Sequence, residues 1–346
     1  MKTNKVKSPK VSDIGESGLI RLTGHFNLNR PERIITGIGD DCAVIRNNEG
    51  KLQLLTTDVM IDGVHFLRDR HKPQALGEKL LAISLSDIAA MGGEPREAII
   101  CAMLTADLEV NWLEDFYTGL NDIAKRYNVN IVGGDTSQHP DRLTFALTLT
   151  GIVEEKNVIH RSGGKPGDLI FVSGTIGNSD AGLQIIKNKT ADISEEHLEF
   201  LINSCIRTEP RVELGQVLSK SGVVTAMTDI SDGLAVDLPN ICRAGGTGSE
   251  LIVEYIPISS ALKDFCKSQN ESPIEFALKS GGDYELLWTI NPNGIEIIEE
   301  LAKRSDLPPI THIGRLVDDN QSKVTIIQPG GQKEILQSGG WQHFSI

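Results

Sequence analysis

The chain has 346 residues, 39% of them apolar and 23% charged, enough for two domains each with its own core, which excludes disorder for most of it. Acidic residues number 47 and basic ones 34, and the net charge of −13 has the wrong sign for neutralising a phosphate backbone, so general nucleic-acid binding is disfavoured. The longest unbroken apolar run, Ala98–Leu104, is far short of the roughly 18 residues of a membrane span, so a soluble protein with no membrane partner is expected.

Residues up to about Ser12 carry lysines with no apolar stretch behind them, so 1–12 reads as a mobile tail and not as a secretory signal. A first domain is expected over 13–155 and a second over 156–346. Cys42–Ile45 and Leu52–Thr57 flank the turn Asn47-Asn48-Glu49-Gly50 as a β-hairpin. Ala75–Met91 carries Leu76, Leu80, Leu81, Ile83, Leu85 and Ile88, a helix apolar over much of its circumference and stopped by Gly92-Gly93. A buried strand is expected at Ile99–Leu104. Asn111 with Glu114 resembles a capping box opening a helix with Trp112, Phe116, Leu120 and Ile123 on one side. A strand through Val129–Val132 follows. Leu143, Phe145, Leu147 and Leu149 then alternate with Thr144, Thr148 and Thr150, the period of a strand buried on one face.

Between Glu154 and Asp168 the composition turns to Arg, Gly, Lys and Pro, which places the domain boundary there. The second half alternates strands (Leu169–Ser173, Val223–Met227, Leu251–Tyr255, Tyr284–Ile290) with helices (Asp180–Lys187, Pro210–Lys220, Leu234–Ala244). Strands and helices in alternation give an α/β class. The odd set of five cysteines has no C-x-x-C pair and reads as reduced core residues of a cytoplasmic protein.

One pattern recurs: an aspartate beside Gly, Ser or Thr at the end of an apolar segment. It holds for Asp40 and Asp41 after Gly39, Asp58 after Thr56-Thr57, Asp87 after Ser84-Leu85-Ser86, Asp135 after Gly133-Gly134, and Asp229 and Asp232 around Ile230-Ser231. Side chains at strand ends project into the crevice where open α/β sheets bind ligands. Each has a structural alternative. Asp40 and Asp41 can start a turn, Asp58 can cap a loop, and Asp229-Ile230-Ser231-Asp232 can N-cap the helix from Leu234. Asp87 on an apolar helix must meet a cation or become neutral. Carboxylates with hydroxyls suit Mg²⁺ or Mn²⁺, whereas the eight histidines lack H-x-x-x-H spacing and give zinc no support. A site of this kind that takes an anion needs several metal ions, and polyphosphate is the natural guest. No G-x-x-x-x-G-K-[ST] or kinase H-R-D signature occurs, and the Gly174–Ser179 loop is only a weak anion-site candidate. Arg161 reads either as a phosphate contact across a cleft or as a surface arginine.

Taken together, these residues resemble the thiamine-monophosphate kinase family, within the superfamily of aminoimidazole ribonucleotide synthetase. The matching stretches are Gly15-Glu16 with Leu19-Ile20, GIGDDCAVI (37–45), TTD (56–58), GVHF (63–66), SLSDIAAMGGEP (84–95), GGDT (133–136), RSGGKPGD (161–168), DISDGL (229–234), GGDYEL (281–286) and GWQHF (340–344). The resemblance implies an N-terminal domain that dimerises by merging sheets into a shared barrel, a C-terminal α/β domain, and ATP between them. It implies Mg²⁺-assisted in-line transfer of the γ-phosphoryl group of ATP to thiamine monophosphate. By motif, Asp41, Thr56, Thr57, Asp58, Asp87, Asp135, Asp229 and Asp232 are implied as metal ligands. Gly134, Asp135, Arg161 and Ser231 are implied as nucleotide contacts, and His65, Asp283 and Trp341 as substrate contacts. Trp341 suits stacking on an aromatic cation, the alternative being a hydrophobic plug. Gly282 stands where many family members carry Glu; either Asp283 covers for that acid or the positive substrate is held differently. A relative that activates an amide or selenide oxygen would want other residues: residues 10–30 hold no Cys, and the chain closes on Phe344-Ser345-Ile346. A non-catalytic Mg–nucleotide sensor is the alternative from another class.

Overall fold

The computed structural model describes residues 10–23, 28–47, 50–187, 190–337, 339–341 and 343, with the side chains of residues 17 and 23 set aside. The tail over 1–9, part of the 47–50 turn, and Gln342 and Phe344 lie outside the described residues. The first half contains α1 (Val11–Thr23), interrupted at Gly15, then β1 (Ile34–Thr36), β2 (Ala43–Arg46) and β3 (Lys51–Ile61). It continues with α2 (Pro73–Ala90), β4 (Glu94–Leu104), α3 (Val110–Arg126), β5 (Asn130–Gln138) and β6 (Thr144–Glu154). Its six strands are ordered β1-β2-β3-β6-β4-β5, antiparallel except for the β4–β5 pair. β2 and β3 form the expected hairpin, and Leu143, just before β6, and Phe145, Leu147 and Leu149, within it, are buried, while Ala146, Thr148 and Thr150 are half-buried.

The second half runs β7 (Leu169–Ser173), α4 (Asn178–Ile186), α5 (Glu195–Ile206), α6 (Val212–Ser221), β8 (Val224–Asp229) and α7 (Leu234–Gly245). β9 (Gly248–Ile252), α8 (Ser260–Ser268), α9 (Pro273–Lys279), β10 (Leu286–Ile290) and α10 (Ile295–Leu301) follow. β11 (Ile310–Val317), β12 (Val324–Ile327) and β13 (Lys333–Ile335) complete a seven-stranded sheet ordered β13-β12-β9-β11-β7-β10-β8. Its central strands are covered on both faces, so the period-2 alternation sorts residues into two cores. Phe171, Met227, Leu286 and Trp288 join the core that includes the first sheet, whereas Ile170, Val172, Ala226 and Leu287 join the core under α4, α7, α8 and α9.

α2 connects the two halves. It packs on β3, β4 and β6 of the first sheet and on α6 and β8 of the second half. Leu76, Leu80, Leu81, Leu85 and Ile88 are at most 1% exposed, which explains a sequence that is apolar nearly all round. Its other neighbour, α3, begins at Val110 with Glu109 as N-cap and no side-chain cap bond, so the expected capping box at Asn111 is not formed: Asn111 already lies inside the helix. The expected face of α3 does pack inward through Phe116, Leu120 and Ile123.

The two helices meet backbone to backbone. A Cβ on Gly77 of α2 would fall 1.9 Å from the Phe116 carbonyl oxygen, and one on Gly119 of α3 would fall 1.9 Å from that of Gln74. No side-chain rotation relieves a backbone contact, so α2 would have to shift away from the sheet. Gly77→Ala is expected to destabilise the protein by about 2 kcal/mol or more, read from the urea midpoint at unchanged slope. A loss below about 0.5 kcal/mol would mean that the helices separate without penalty.

Candidate active site

The site begins with the pleat of β3. Thr56 and Met60 are buried toward α2, whereas Thr57 and Val59 are exposed on the opposite face. On α2, Ser84 and Asp87 are three residues apart and share one face. The Thr56 hydroxyl donates to Asp87, and the Ser84 hydroxyl donates to Asp58 Oδ2 at 2.6 Å. From the second half, Asp229 at the end of β8 accepts from Ser86 Oγ at 2.5 Å. Asp41, in the turn after Gly39, accepts from Thr228 Oγ1 at 2.9 Å and from Arg161 Nη2 at 2.6 Å. Each of the four carboxylates thus receives one hydroxyl, and one guanidinium, that of Arg161, bonds the group.

Ligand oxygens of Asp41, Asp87 and Asp229 lie within 4.8 Å of one another. All four carboxylates titrate above the ordinary range, because burial penalises the ion. For Asp87 the neighbouring charges of Asp58, Asp229 and Asp41 add to burial, and for Asp229 the charge of Asp41 helps push the pKa to about 7. Arg161 is held charged by Asp41, against the effect of its own burial. Asp41 Oδ2 is buried with no hydrogen-bond partner. An all-oxygen set with an orphaned carboxylate oxygen and three converging acids fits a hard divalent cation of the Mg²⁺ type.

Asp40, by contrast, holds the loop together. It accepts from the Arg161 and Asp41 backbone N–H groups and lies 3.2 Å from His160 Nδ1. The helix-cap alternative for Asp229–Asp232 is not realised: the N-cap of α7 is Gly233, and the Asp232 and Gly233 N–H groups donate to Asp237. Buried Asp237 carried no sequence signal beyond its place in the first turn.

Beside the carboxylates opens a cleft of about 500 Å³ lined by Thr57, Asp58, His65, Ser231, Asp232 and Trp341, together with Lys79, Lys279 and Tyr284. Thr57 directs its hydroxyl to the Leu147 carbonyl at 3.1 Å, on the sheet face away from Asp58. Asp232 is raised to about 6 by burial and the charge of Glu16. His65 Nδ1 accepts from the Ile61 N–H at 3.0 Å, and burial, with His343 and Lys79, lowers its pKa to about 4, so the ring is neutral. Trp341 is 41% exposed and stands edge-on to His343, which in turn lies 5.3 Å from His65. It is therefore no buried plug.

Three expected site residues lie elsewhere. Asp283 does not line the cleft: its two oxygens accept from the Gly177 and Ser179 N–H groups at 2.6 and 3.0 Å and cap α4. The N-terminus of α4, the weak anion candidate, is thus already taken by an internal carboxylate. Gly134 and Asp135 are on β5, an edge strand exposed along its whole length. The pairing register runs Asp58, Leu147, Ile100, Gly134 and, one residue on, Val59, Ala146, Cys101, Asp135. Asp135 therefore faces the opposite side of the sheet from Asp58, about 14 Å away across three strand spacings. Within one chain it cannot share an ion with Asp41, Asp87 and Asp229. Gly134 has a packing reason of its own, since a Cβ there would lie 1.7 Å from the Ile100 carbonyl oxygen.

The comparisons with known proteins agree with this geometry. The family model described as AIR synthase related protein, N-terminal domain, matches residues 39–153, and its C-terminal domain counterpart matches residues 165–327. The thiamine-monophosphate kinase of Bacillus subtilis is 34% identical over 89% of this chain and 93% of its own, and that of Escherichia coli K12 is 34% identical over 96% and 98%. The chain belongs to the thiamine-monophosphate kinase family. Among solved structures, AaThiL complexed with AMPPCP and TMP superimposes with a TM-score of 0.83, at 33% identity, over 97% of this chain and 99% of that one. The family's two-domain α/β fold is the fold described above.

The raised carboxylates give the cluster a pH signature. An acid raised by folding binds more protons folded than unfolded between its ordinary pKa near 4 and its folded value, which for Asp229 is about 7. Without divalent metal, stability therefore falls as pH rises through that window. The melting temperature of chelator-treated protein is expected to drop by several degrees from about pH 5.5 to about pH 8, and Mg²⁺ to raise it more at pH 8 than at pH 5.5. Equal Mg²⁺ shifts at both pH values would separate the metal from these acids.

Proposed function

We propose that this protein transfers the γ-phosphoryl group of ATP to the phosphate of thiamine monophosphate, giving thiamine diphosphate and ADP. The observation that carries the reading is the convergence of Asp41, Asp87 and Asp229, with an unpaired oxygen on Asp41, beside a cleft that also presents Lys79, Lys279 and Trp341. The names of the relatives supply the acceptor, and the AMPPCP and TMP held by the solved neighbour supply the pair of ligands.

Mg²⁺ would be held by Asp41, Asp87 and Asp229, with Asp58 and Asp232 beside them, and would supply the positive charge that offsets repulsion between the phosphates. Arg161, fixed between Asp41 and Thr228, sets the edge of the carboxylate group at the junction of the two halves. Ser231 and Asp232 face the cleft from the second half, and Asp58 from the first. Lys79 donates to the Cys205 carbonyl at 2.8 Å and holds a positive charge on the cleft wall. The face of Trp341 suits the aromatic cation of the acceptor. A phosphate acceptor is already an anion at neutral pH, so no residue needs to act as a general base, and neutral His65 fits that absence.

A homodimer belongs to the same reading. The sheet face opposite α2 leaves Val59 and Ile99 exposed, and the unpaired edge strand β5 adds Ile131 and Val132. A bare, partly apolar face next to an unpaired edge suits a second copy. Asp135 and Gly134 lie on that edge, so any part they take in metal or nucleotide binding runs through the dimer. Five free cysteines, four of them buried, accord with a reducing, cytoplasmic setting, and among the described residues no helix is long and apolar enough to cross a membrane.

The deciding experiment is mass-spectrometric product analysis with Mg²⁺, ATP and thiamine monophosphate. Thiamine diphosphate and ADP in equal amounts are expected, with Asp87→Asn at least about 10²-fold slower at unchanged fold. ATP binding without thiamine diphosphate would leave a nucleotide sensor or another acceptor. For the dimer, Val59→Lys is expected to convert a two-chain species to one chain by light scattering, and a wild-type monomer would remove the dimer from the reading.

A further inference from the structure

We propose that Tyr284 is a substrate-contacting residue whose phenol hydroxyl donates a hydrogen bond to the phosphate that receives the transferred group, an inference that rests on the kinase reading above. Its backbone marks it out. Tyr284 has φ of 54°, and the other non-glycines with positive φ among the described residues are Asn128, Asn270 and Ser322, all small and polar. A bulky residue stays in the left-handed region only where its surroundings over-determine it, and such sites concentrate where function demands a particular placement.

Those surroundings are on both sides of the residue. Asp283 is fixed by the α4 N–H groups described above. Glu285 is 5% exposed, accepts from Arg211 Nε at 2.8 Å and Nη2 at 2.5 Å, and receives the Ser173 hydroxyl. The backbone between them is paired to the loop that carries Ser231 and Asp232: Gly282 N–H to the Ser231 carbonyl at 2.7 Å, Tyr284 N–H to that of Ile230 at 2.9 Å, and Ile230 N–H to that of Glu285 at 2.8 Å. Two doubly bonded carboxylate anchors, one half-buried and one buried, and a short ladder therefore hold one left-handed residue that lines the cleft with Asp58 and Asp232.

The chemistry of the phenol suits that place. Its hydroxyl makes no hydrogen bond to any described residue. A phenol ionises only at about pH 10, so at neutral pH it is a neutral O–H donor. An incoming phosphate meets carboxylates from both halves. A neutral donor fixes one of its oxygens without adding negative charge and without exchanging a proton, which is the demand made by an acceptor that must stay anionic and in line.

Tyr284→Phe in the full-length protein removes the hydroxyl and keeps the ring. The expected result is a fall of roughly 10- to 100-fold in kcat/KM for thiamine monophosphate, with the KM for ATP within about 3-fold and Mg²⁺ affinity by titration calorimetry unchanged. Tyr284→Asn, which tolerates the left-handed backbone but is too short to reach, is expected to lose the same acceptor term and serves if the Phe variant does not fold. A kcat/KM for the acceptor within about 2-fold of wild type in Tyr284→Phe would overturn the proposal. So would a loss matched by weaker Mg²⁺ binding or a raised KM for ATP, since either assigns the phenol to the metal and nucleotide side. Wild-type protein that makes no thiamine diphosphate would sink the kinase reading itself, a result obtained before any variant is made.

Discussion

Four carboxylates are drawn together where the two halves of the chain meet, two of them buried and two half-buried, with one guanidinium and four hydroxyls to satisfy them. Desolvated like charges repel, and folding has to work against that repulsion before any ligand arrives. The rest of the architecture can be understood as what makes this possible. α2 carries Ser84, Ser86 and Asp87 on a helix whose remaining surface is almost wholly apolar, so its burial against both sheets offsets the cost of placing one acid in the middle. The glycine contacts between α2 and α3 keep that helix seated deeply enough for Asp87 to meet residues of β3 and β8.

The second half supplies rigidity of a different kind. The 281–286 segment carries one strained backbone, a left-handed tyrosine at about 1–3 kcal/mol, between half-buried Asp283 and buried Glu285, each bonded through both oxygens. Asp283 closes the start of α4, and Glu285 anchors to Arg211 at the start of α6, so the loop is tied to two helices at once. Acidic residues in this protein thus divide by what satisfies them. Asp283 and Glu285, bonded through both oxygens to N–H groups of the backbone or of arginine, build the scaffold. Asp41, Asp58, Asp87 and Asp229, each bonded to a hydroxyl through one oxygen, form the site.

Much of this was legible in the residues. The alternation in Leu143–Leu149 and the apolar circumference of Ala75–Met91 mark strand and helix because both segments are long and their burial is one-sided or complete. The aspartates after Gly, Ser and Thr pointed to Asp41, Asp58, Asp87 and Asp229, since an acid inside an apolar helix or at a buried strand end must be met by a cation, a donor or a proton. What escaped was set by tertiary pairing. Asp283 and Asp135 both follow a Gly-Gly pair, yet Asp283 caps a helix more than 100 positions earlier in the chain, which no local pattern encodes. Asp135 sits on a strand whose pleat turns it to the other face of the sheet. The capping-box spacing at Asn111 failed because α3 starts earlier, at Val110. The elements α9, α10, β12 and β13, of three to seven residues each, are too brief for periodicity to separate helix from strand.

The carboxylate group draws on both halves, and Ser86 and Asp229, which touch within it, are separated by 143 positions in the chain. During synthesis, Asp41, Asp58 and Asp87 therefore emerge long before the partner that completes their surroundings. At the ribosome's pace of roughly 5–20 residues per second, the interval lasts on the order of ten seconds. For that time the first half must either leave its acids in water or hold them protonated against the growing core. Docking of β8 against α2 is then the event that assembles the carboxylate cluster, so the cluster exists only once the second half has been made and has folded against the first.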